Sequence, residues 1–117
     1  MASGRETVGR SVRRGEIRWV DLDPAQGSEI RKTRPAVVVT ADALNLARRT
    51  VVVVPLSTGP QPRPPIVVPT PSAGENSVAV CDQVRAVDKR RLSQAKGQIS
   101  QLDLRSIEDG LRRILEL

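Results

Sequence analysis

Glu16-Ile17-Arg18-Trp19-Val20-Asp21-Leu22 alternates polar and apolar residues. That is the period of a strand with one buried face, here carrying Ile17 and Trp19, with Asp21 following on the same side. Asp23-Pro24 ends the run. Beyond a polar loop, Ala36-Val37-Val38-Val39 is continuously apolar, as expected of a strand buried on both faces. Thr50 to Pro55, with four consecutive valines, reads as a third strand. Between the last two, Asp42 to Arg49 has the length of about two helical turns, with Leu44 and Ala47 facing inward.

The composition then shifts. Pro55 to Pro65 holds five of the nine prolines and reads as a long extended loop, because proline cannot donate to a strand ladder or continue a helix. Ile66-Val67-Val68-Pro69 is a short strand at an edge, Pro71 to Asn76 a turn, and Ser77–Val80 and Gln83–Val87 are further strands. Arg90 to Gly97 reads as a charged connection. From Ser100 the period changes: Leu104, Ile107, Leu111, Ile114 and Leu115 form one face of an amphipathic helix, with Ser100 and Asp103 at its cap and Asp109, Arg112 and Arg113 opposite. Gly110 within that helix costs about 1 kcal/mol relative to alanine, so a close packing contact is its expected compensation. The expected fold is mainly β, a curled antiparallel barrel of about six strands with a C-terminal helix, rather than a βαβ arrangement. Residues 1–12 lack periodicity and read as a flexible arm; residues 13–117 read as a single domain, of a size suited to one core.

Lys plus Arg outnumber Asp plus Glu by 19 to 13, a formal charge of +6, and arginine supplies most of the surplus. Such a balance favours a polyanion or an acidic protein partner, and arginine's planar fork suits phosphate. The chain has no histidine, which removes imidazole acid–base catalysis and any His-built metal site; no metal or cofactor is expected. One tryptophan and no Phe or Tyr leave little for a stacked-aromatic platform, and Trp19 is expected in the core rather than under a base. The single cysteine, Cys81, follows Val78-Ala79-Val80 and is expected to be a buried structural thiol. With no bilayer-length apolar run and no signal-peptide core, the expected location is the cytoplasm, away from membranes.

The loop between the first two strands, Gln26 to Pro35, collects Gly27, two hydroxyls (Ser28 and Thr33), the carboxylate of Glu29 and three cations, Arg31, Lys32 and Arg34. It is either a solvated hairpin loop or a phosphate site in which a carboxylate and a hydroxyl move a proton beside cations.

Arg14-Gly15-Glu16-Ile17, Trp19-Val20-Asp21-Leu22-Asp23-Pro24, Gly27-Ser28-Glu29 and Arg34-Pro35-Ala36-Val37-Val38 resemble the MazF/PemK toxins of bacterial toxin–antitoxin modules. The resemblance continues in order through Val54-Pro55-Leu56-Ser57-Thr58 and Ser77-Val78-Ala79-Val80-Cys81-Asp82-Gln83-Val84-Arg85. It implies an SH3-like barrel of the CcdB/PemK type, a homodimer, and a metal-independent endoribonuclease acting on single-stranded RNA. It also implies neutralisation by an acidic, MazE-like antitoxin. By the same resemblance the catalytic arginine falls on Arg34 and its supporting glutamate on Glu29. The catalytic threonine falls on Ser57, a departure that keeps a hydroxyl and leaves Ser57 and adjacent Thr58 as alternatives.

Metal-free cleavage uses the neighbouring 2′-OH as nucleophile and gives a 2′,3′-cyclic phosphate and a 5′-OH. Arg34 suits electrostatic stabilisation first and proton donation second, since arginine hardly deprotonates. Ser57 can donate to the phosphate or simply form a turn before Thr58-Gly59. Glu29 is either the base or the group that orients Arg34. Arg31 and Lys32 suit flanking phosphates or solvent, with Gly27, Ser28 and Thr33 beside them. Gln83 offers a bidentate amide for base edges, with Asp82 as likely to serve the barrel; Arg85, Lys89, Arg90 and Arg91 suit RNA backbone or plain solubility. Two other activities fit the same composition: a CcdB-like gyrase poison, against which the tail Ile114-Leu115-Glu116-Leu117 argues, and a basic nucleic-acid-binding module without turnover.

Overall fold

The computed structural model describes residues 12–22 and 33–117. Most of the expected N-terminal arm (1–11) and most of the Gln26 to Pro35 loop lie outside those residues. Val12, at the end of the expected arm, is buried with Val20 and Leu22.

Among the described residues, seven strands form one antiparallel sheet. They are β1 (Glu16–Asp21), β2 (Thr33–Val38), β3 (Thr50–Ser57), β4 (Val67–Pro69), β5 (Val78–Val80), β6 (Arg85–Asp88) and β7 (Leu92–Gln98). The order is β4-β5-β3-β2-β1-β7, and β6 continues along the edge of β3 that β5 leaves open. Val87 of β6 and Leu92 of β7 nevertheless share a core with Val20, Val38, Val51 and Val53. Strands on opposite flanks can meet only if the sheet curls, which is the expected barrel. A second core, with Ile17, Val37, Val54, Leu56, Ala79 and Cys81, lies on the other face.

That second face is covered by the C-terminal helix. Helix α1 is short (Asp42–Ala47), and α2 spans Gln101–Leu115. The Ser100 hydroxyl caps α2 by accepting from Asp103 N (3.1 Å). Leu104 and Ile107 are buried against the sheet and Leu111 and Ile114 half-buried, as the periodicity requires, while Leu115 is exposed. Gly110 has its compensation. A Cβ there would lie 2.9 Å from Pro65 O and 3.1 Å from Cys81 Sγ, so the helix approaches the turns before β4 and after β5 at a distance only glycine allows.

Five expectations need correction. Arg90 to Gly97 is not a connection, because Leu92–Gln98 is a strand on the free edge of β1. Six of its seven residues are exposed, so backbone pairing rather than burial defines it. The third strand does not end at Pro55 but runs to Ser57, so Leu56 and Ser57 belong to β3 rather than to the loop, and Pro55 is buried within the strand. Val52 turns its carbonyl toward Val39 N on the β2 side, so Pro55, three residues on, directs its missing donor to the opposite edge. There β6 stops at Val53 and β5 begins at Leu56, so no ladder bond is lost. In α1, Leu44 is 52% exposed and Ala47 is also exposed; the buried residue is Asn45, whose Nδ2 donates to Thr40 O (2.8 Å). A six-residue helix is thus held by a hydrogen bond rather than by an apolar face. Gln83 lies in a 3-10 turn (Cys81–Gln83) before β6, not in the strand. Finally, Trp19 is only half-buried. β1 shifts register against β7 on either side of Arg18, and Ile17 enters one core while Val20 and Leu22 enter the other.

No helix among the described residues is long and apolar enough to cross a membrane.

Candidate active site

β2 and β3 pair with Ala36 opposite Pro55, Val37 opposite Val54 and Val38 opposite Val53. Continued two residues, that register sets Arg34 across from Ser57. Side chains directly opposite on an antiparallel pair share a face, and here both residues line one cleft of about 150 Å³. Thr58 and Lys96 line it too. A guanidinium, an ammonium and two hydroxyls therefore converge at the end of the barrel where β2 begins and β3 ends.

The opposite wall is braced. Ala73 and Gly74 come from the turn after β4 (Pro71–Ala73). Ser72 N donates to Asp103 Oδ2 (2.7 Å), and Ser100 N donates to Ser72 Oγ (3.0 Å), which ties that turn to the first turn of α2. Buried Ser77 contributes to the wall as well, its hydroxyl 3.1 Å from Thr70 Oγ1. The local serine turn anticipated at Ser57 exists in a long form: Gly59 N donates to Ser57 Oγ at 3.4 Å. Because the hydroxyl accepts in that bond, its own O–H remains available as a donor toward the cleft.

The other anticipated residues are distributed differently. Gly27, Ser28, Glu29, Arg31 and Lys32 lie outside the described residues. Thr33 is exposed at the start of β2, opposite Asp21. Gln83 and Arg85 do not line the cleft. Arg85 pairs with Val53, four residues along β3 from Ser57 or roughly 13 Å, and its Nη1 donates to Leu22 O (3.4 Å). Lys89 and Arg90 join Arg48 and Arg49 around a separate concavity of about 380 Å³ near the start of β3, where hydrogen bonds from Arg90 hold the Asp88 carboxyl below its ordinary range. Cys81 is fully buried, and burial, reinforced by neighbouring Asp82, pushes its thiol up to about 11. That is an inert thiol, as expected.

Lys96 and Ser77 were not anticipated. Lys96 sits in the strand that carries no hydrophobic pattern; its only signal was a proline-free run of strand length before the helix cap. Ser77 opens a predicted strand and one block of the family resemblance, and neither marks it as a site residue.

The chain is similar to known proteins over almost its whole length. Residues 13–115 match the model of the PemK-like, MazF-like toxin of type II toxin-antitoxin systems. Endoribonuclease MazF9 of Mycobacterium tuberculosis (strain ATCC 25618 / H37Rv) is 36% identical over 115 residues, covering 91% of this chain and 98% of that protein. Endoribonuclease MazF of Staphylococcus epidermidis is 30% identical over 108 residues, covering 86% and 88%. The fold superposes on crystalline MazF from Deinococcus radiodurans with a TM-score of 0.79 at 22% identity, covering 91% and 97%. A mycobacterial endoribonuclease in complex with its cognate antitoxin gives 0.74 at 22% identity, covering 91% and 96%. With a family match over nearly the whole chain and the family's barrel beneath it, this chain belongs to the PemK-like, MazF-like toxins of type II toxin–antitoxin systems.

Proposed function

We propose that this toxin is a metal-independent endoribonuclease that cuts single-stranded RNA, with Arg34 holding the scissile phosphate and Ser57 donating a hydrogen bond to it. The observation that carries this assignment is the convergence of Arg34, Ser57, Thr58 and Lys96 on one cleft. The 2′-oxygen loses its proton and attacks phosphorus, the P–O5′ bond breaks, and the departing O5′ takes a proton from Arg34 or solvent, giving a 2′,3′-cyclic phosphate and a 5′-OH. Negative charge builds on the non-bridging oxygens as attack proceeds, where a guanidinium fork and a fixed O–H stabilise it more than they stabilise the substrate. Lys96 adds a point charge for the same phosphate or its neighbour. Among the described residues no carboxylate lines the cleft. Glu29, just upstream of Arg34, is therefore assigned one of two roles: the base that takes the 2′-OH proton, or the group that orients Arg34 while solvent takes it.

The protein works in the cytoplasm as a homodimer and is silenced by an acidic antitoxin, whose charge complements the formal +6 of this chain. A mycobacterial endoribonuclease of the same fold has been solved in complex with its cognate antitoxin. Incubating purified protein with a long unstructured RNA in EDTA tests the assignment. Cyclic-phosphate and 5′-OH ends are expected, and an intact strand, or 5′-phosphate ends, overturns it.

A further inference from the structure

Beside the cleft lies a larger concavity of about 520 Å³, within the roughly 300–1,000 Å³ of small-molecule sites. The two share Thr58 and Ser77, so a ligand gripped at one continues directly into the other. Their linings differ in kind. The cleft has Arg34 and Lys96; among the described residues around the larger pocket, none ionises. A phosphate entering it would lose water without meeting a cation, at a cost that an uncharged group avoids. The pocket therefore suits the neutral portion of a nucleotide.

Its walls match a base. Pro60, Pro62, Pro69 and Pro71 line it, and pyrrolidine rings offer flat C–H faces for dispersion contact with an aromatic ring. Its amides are those of Gln61 and Asn76. An amide carries a donor beside an acceptor, the pairing that reads a base edge bidentately. Asn76 is held at φ +68 in a turn closed by Ser77 N donating to Gly74 O (3.0 Å), and Thr70 N donating to Ser77 O (2.9 Å) ties that turn to β4. Its amide is thus presented from a fixed support.

We propose that this pocket is the base-reading subsite of the enzyme: it takes the nucleobase next to the scissile phosphate, and Asn76 and Gln61 select it. The proposal rests on the nuclease assignment above, and the test separates the two. Cuts on a long unstructured RNA are mapped for the unaltered protein, Asn76→Gly, which keeps the left-handed turn and removes the amide, and Gln61→Ala. In at least one variant the base preference at a single position beside the cut flattens, and cleavage of the preferred sequence falls roughly 5- to 100-fold, while preferences at other positions persist. Unchanged preferences in both variants overturn the subsite. If the unaltered protein leaves RNA intact, the nuclease assignment fails, and the pocket is judged by titrating phosphate-free nucleosides against its backbone amide NMR signals. Shifts at Gly59, Asn76 and Val78 sustain it, and no shift there overturns it.

Discussion

Arg34 and Ser57 lie side by side on one wall of a single cleft, one near the start of β2 and the other at the last residue of β3. Each is held by a strand that also carries fully buried valines, Val37 and Val38 in β2 and Val53 and Val54 in β3. A phosphate between them is gripped from a rigid frame, which is the condition for stabilising a transition state rather than merely binding a substrate.

Arg34→Ala is expected to lower the single-turnover cleavage rate of the folded protein roughly 100- to 1,000-fold. Arg34→Lys keeps the charge and loses the two-pronged donor, so it should recover only part of that loss. Full activity in Arg34→Ala would remove the guanidinium from the chemistry.

Ser57 is half-buried inside the strand, whereas Thr58 is exposed just past its end. Ser57→Ala should therefore slow cleavage more than Thr58→Ala, by about tenfold or more, and Ser57→Thr should retain activity because the O–H survives. The reverse order in single-turnover assays would make Thr58 the hydroxyl that faces phosphorus.

Lys96 lies on an exposed edge strand, and its ammonium is a point charge rather than a fork. Lys96→Ala is expected to raise KM more than it lowers kcat. The dependence of log binding constant on log salt should become shallower by roughly 0.7, one lost contact on a single strand. An unchanged salt slope would place Lys96 outside the RNA path.

At Gly110 two effects compete. Alanine favours the helix by about 1 kcal/mol, but its Cβ would press on a backbone carbonyl 2.9 Å away and on Cys81 Sγ at 3.1 Å. A backbone carbonyl cannot swing aside, and overpacking of this kind costs about 1–3 kcal/mol. Gly110→Ala should therefore melt several degrees below the unaltered protein, whereas Gly97→Ala, with nothing within 4 Å of its Cβ, should not. Calorimetry distinguishes them.

Cys81 links stability to alkaline pH. Its folded pKa is about 11 against an ordinary 9.0, because burial, and then Asp82, disfavour the thiolate. Between those values the unfolded chain has released a proton that the folded one retains, so stability falls as pH rises, by up to about 2–3 kcal/mol across the window. Below pH 9 the contribution is fully present. Urea titrations at pH 8.5 and 10.5 should show the loss, and Cys81→Ala should reduce it.

How much of this was legible beforehand depends on whether a feature has a side-chain signature. The helix Gln101–Leu115 was, because Leu104, Ile107, Leu111 and Ile114 recur at helical spacing. The cores of β2 and β3 were, because runs of valine have few other uses. β7 was not, since six of its seven side chains face solvent. The continuation of β3 past Pro55 to Ser57 was equally hidden, because it depends on the pairing of Leu56 and Ser57 with β5. Arg34 and Ser57 were named through a family resemblance, and Lys96 went unnoticed along with the strand that bears it.

Side-chain chemistry alone settles which groups this protein possesses: a surplus of arginine, no histidine, one thiol bound for the interior, and an amphipathic helix to close the barrel. It does not settle which of those groups meet. Arg34, Ser57 and Lys96 come together, and Arg85 stays apart, through the alignment of β2 with β3, the placement of β7 on β1 and the bracing of Ser72 on Asp103. Most of that alignment is written in backbone hydrogen bonds, which are chemically the same at nearly every residue and so leave little trace in the order of side chains.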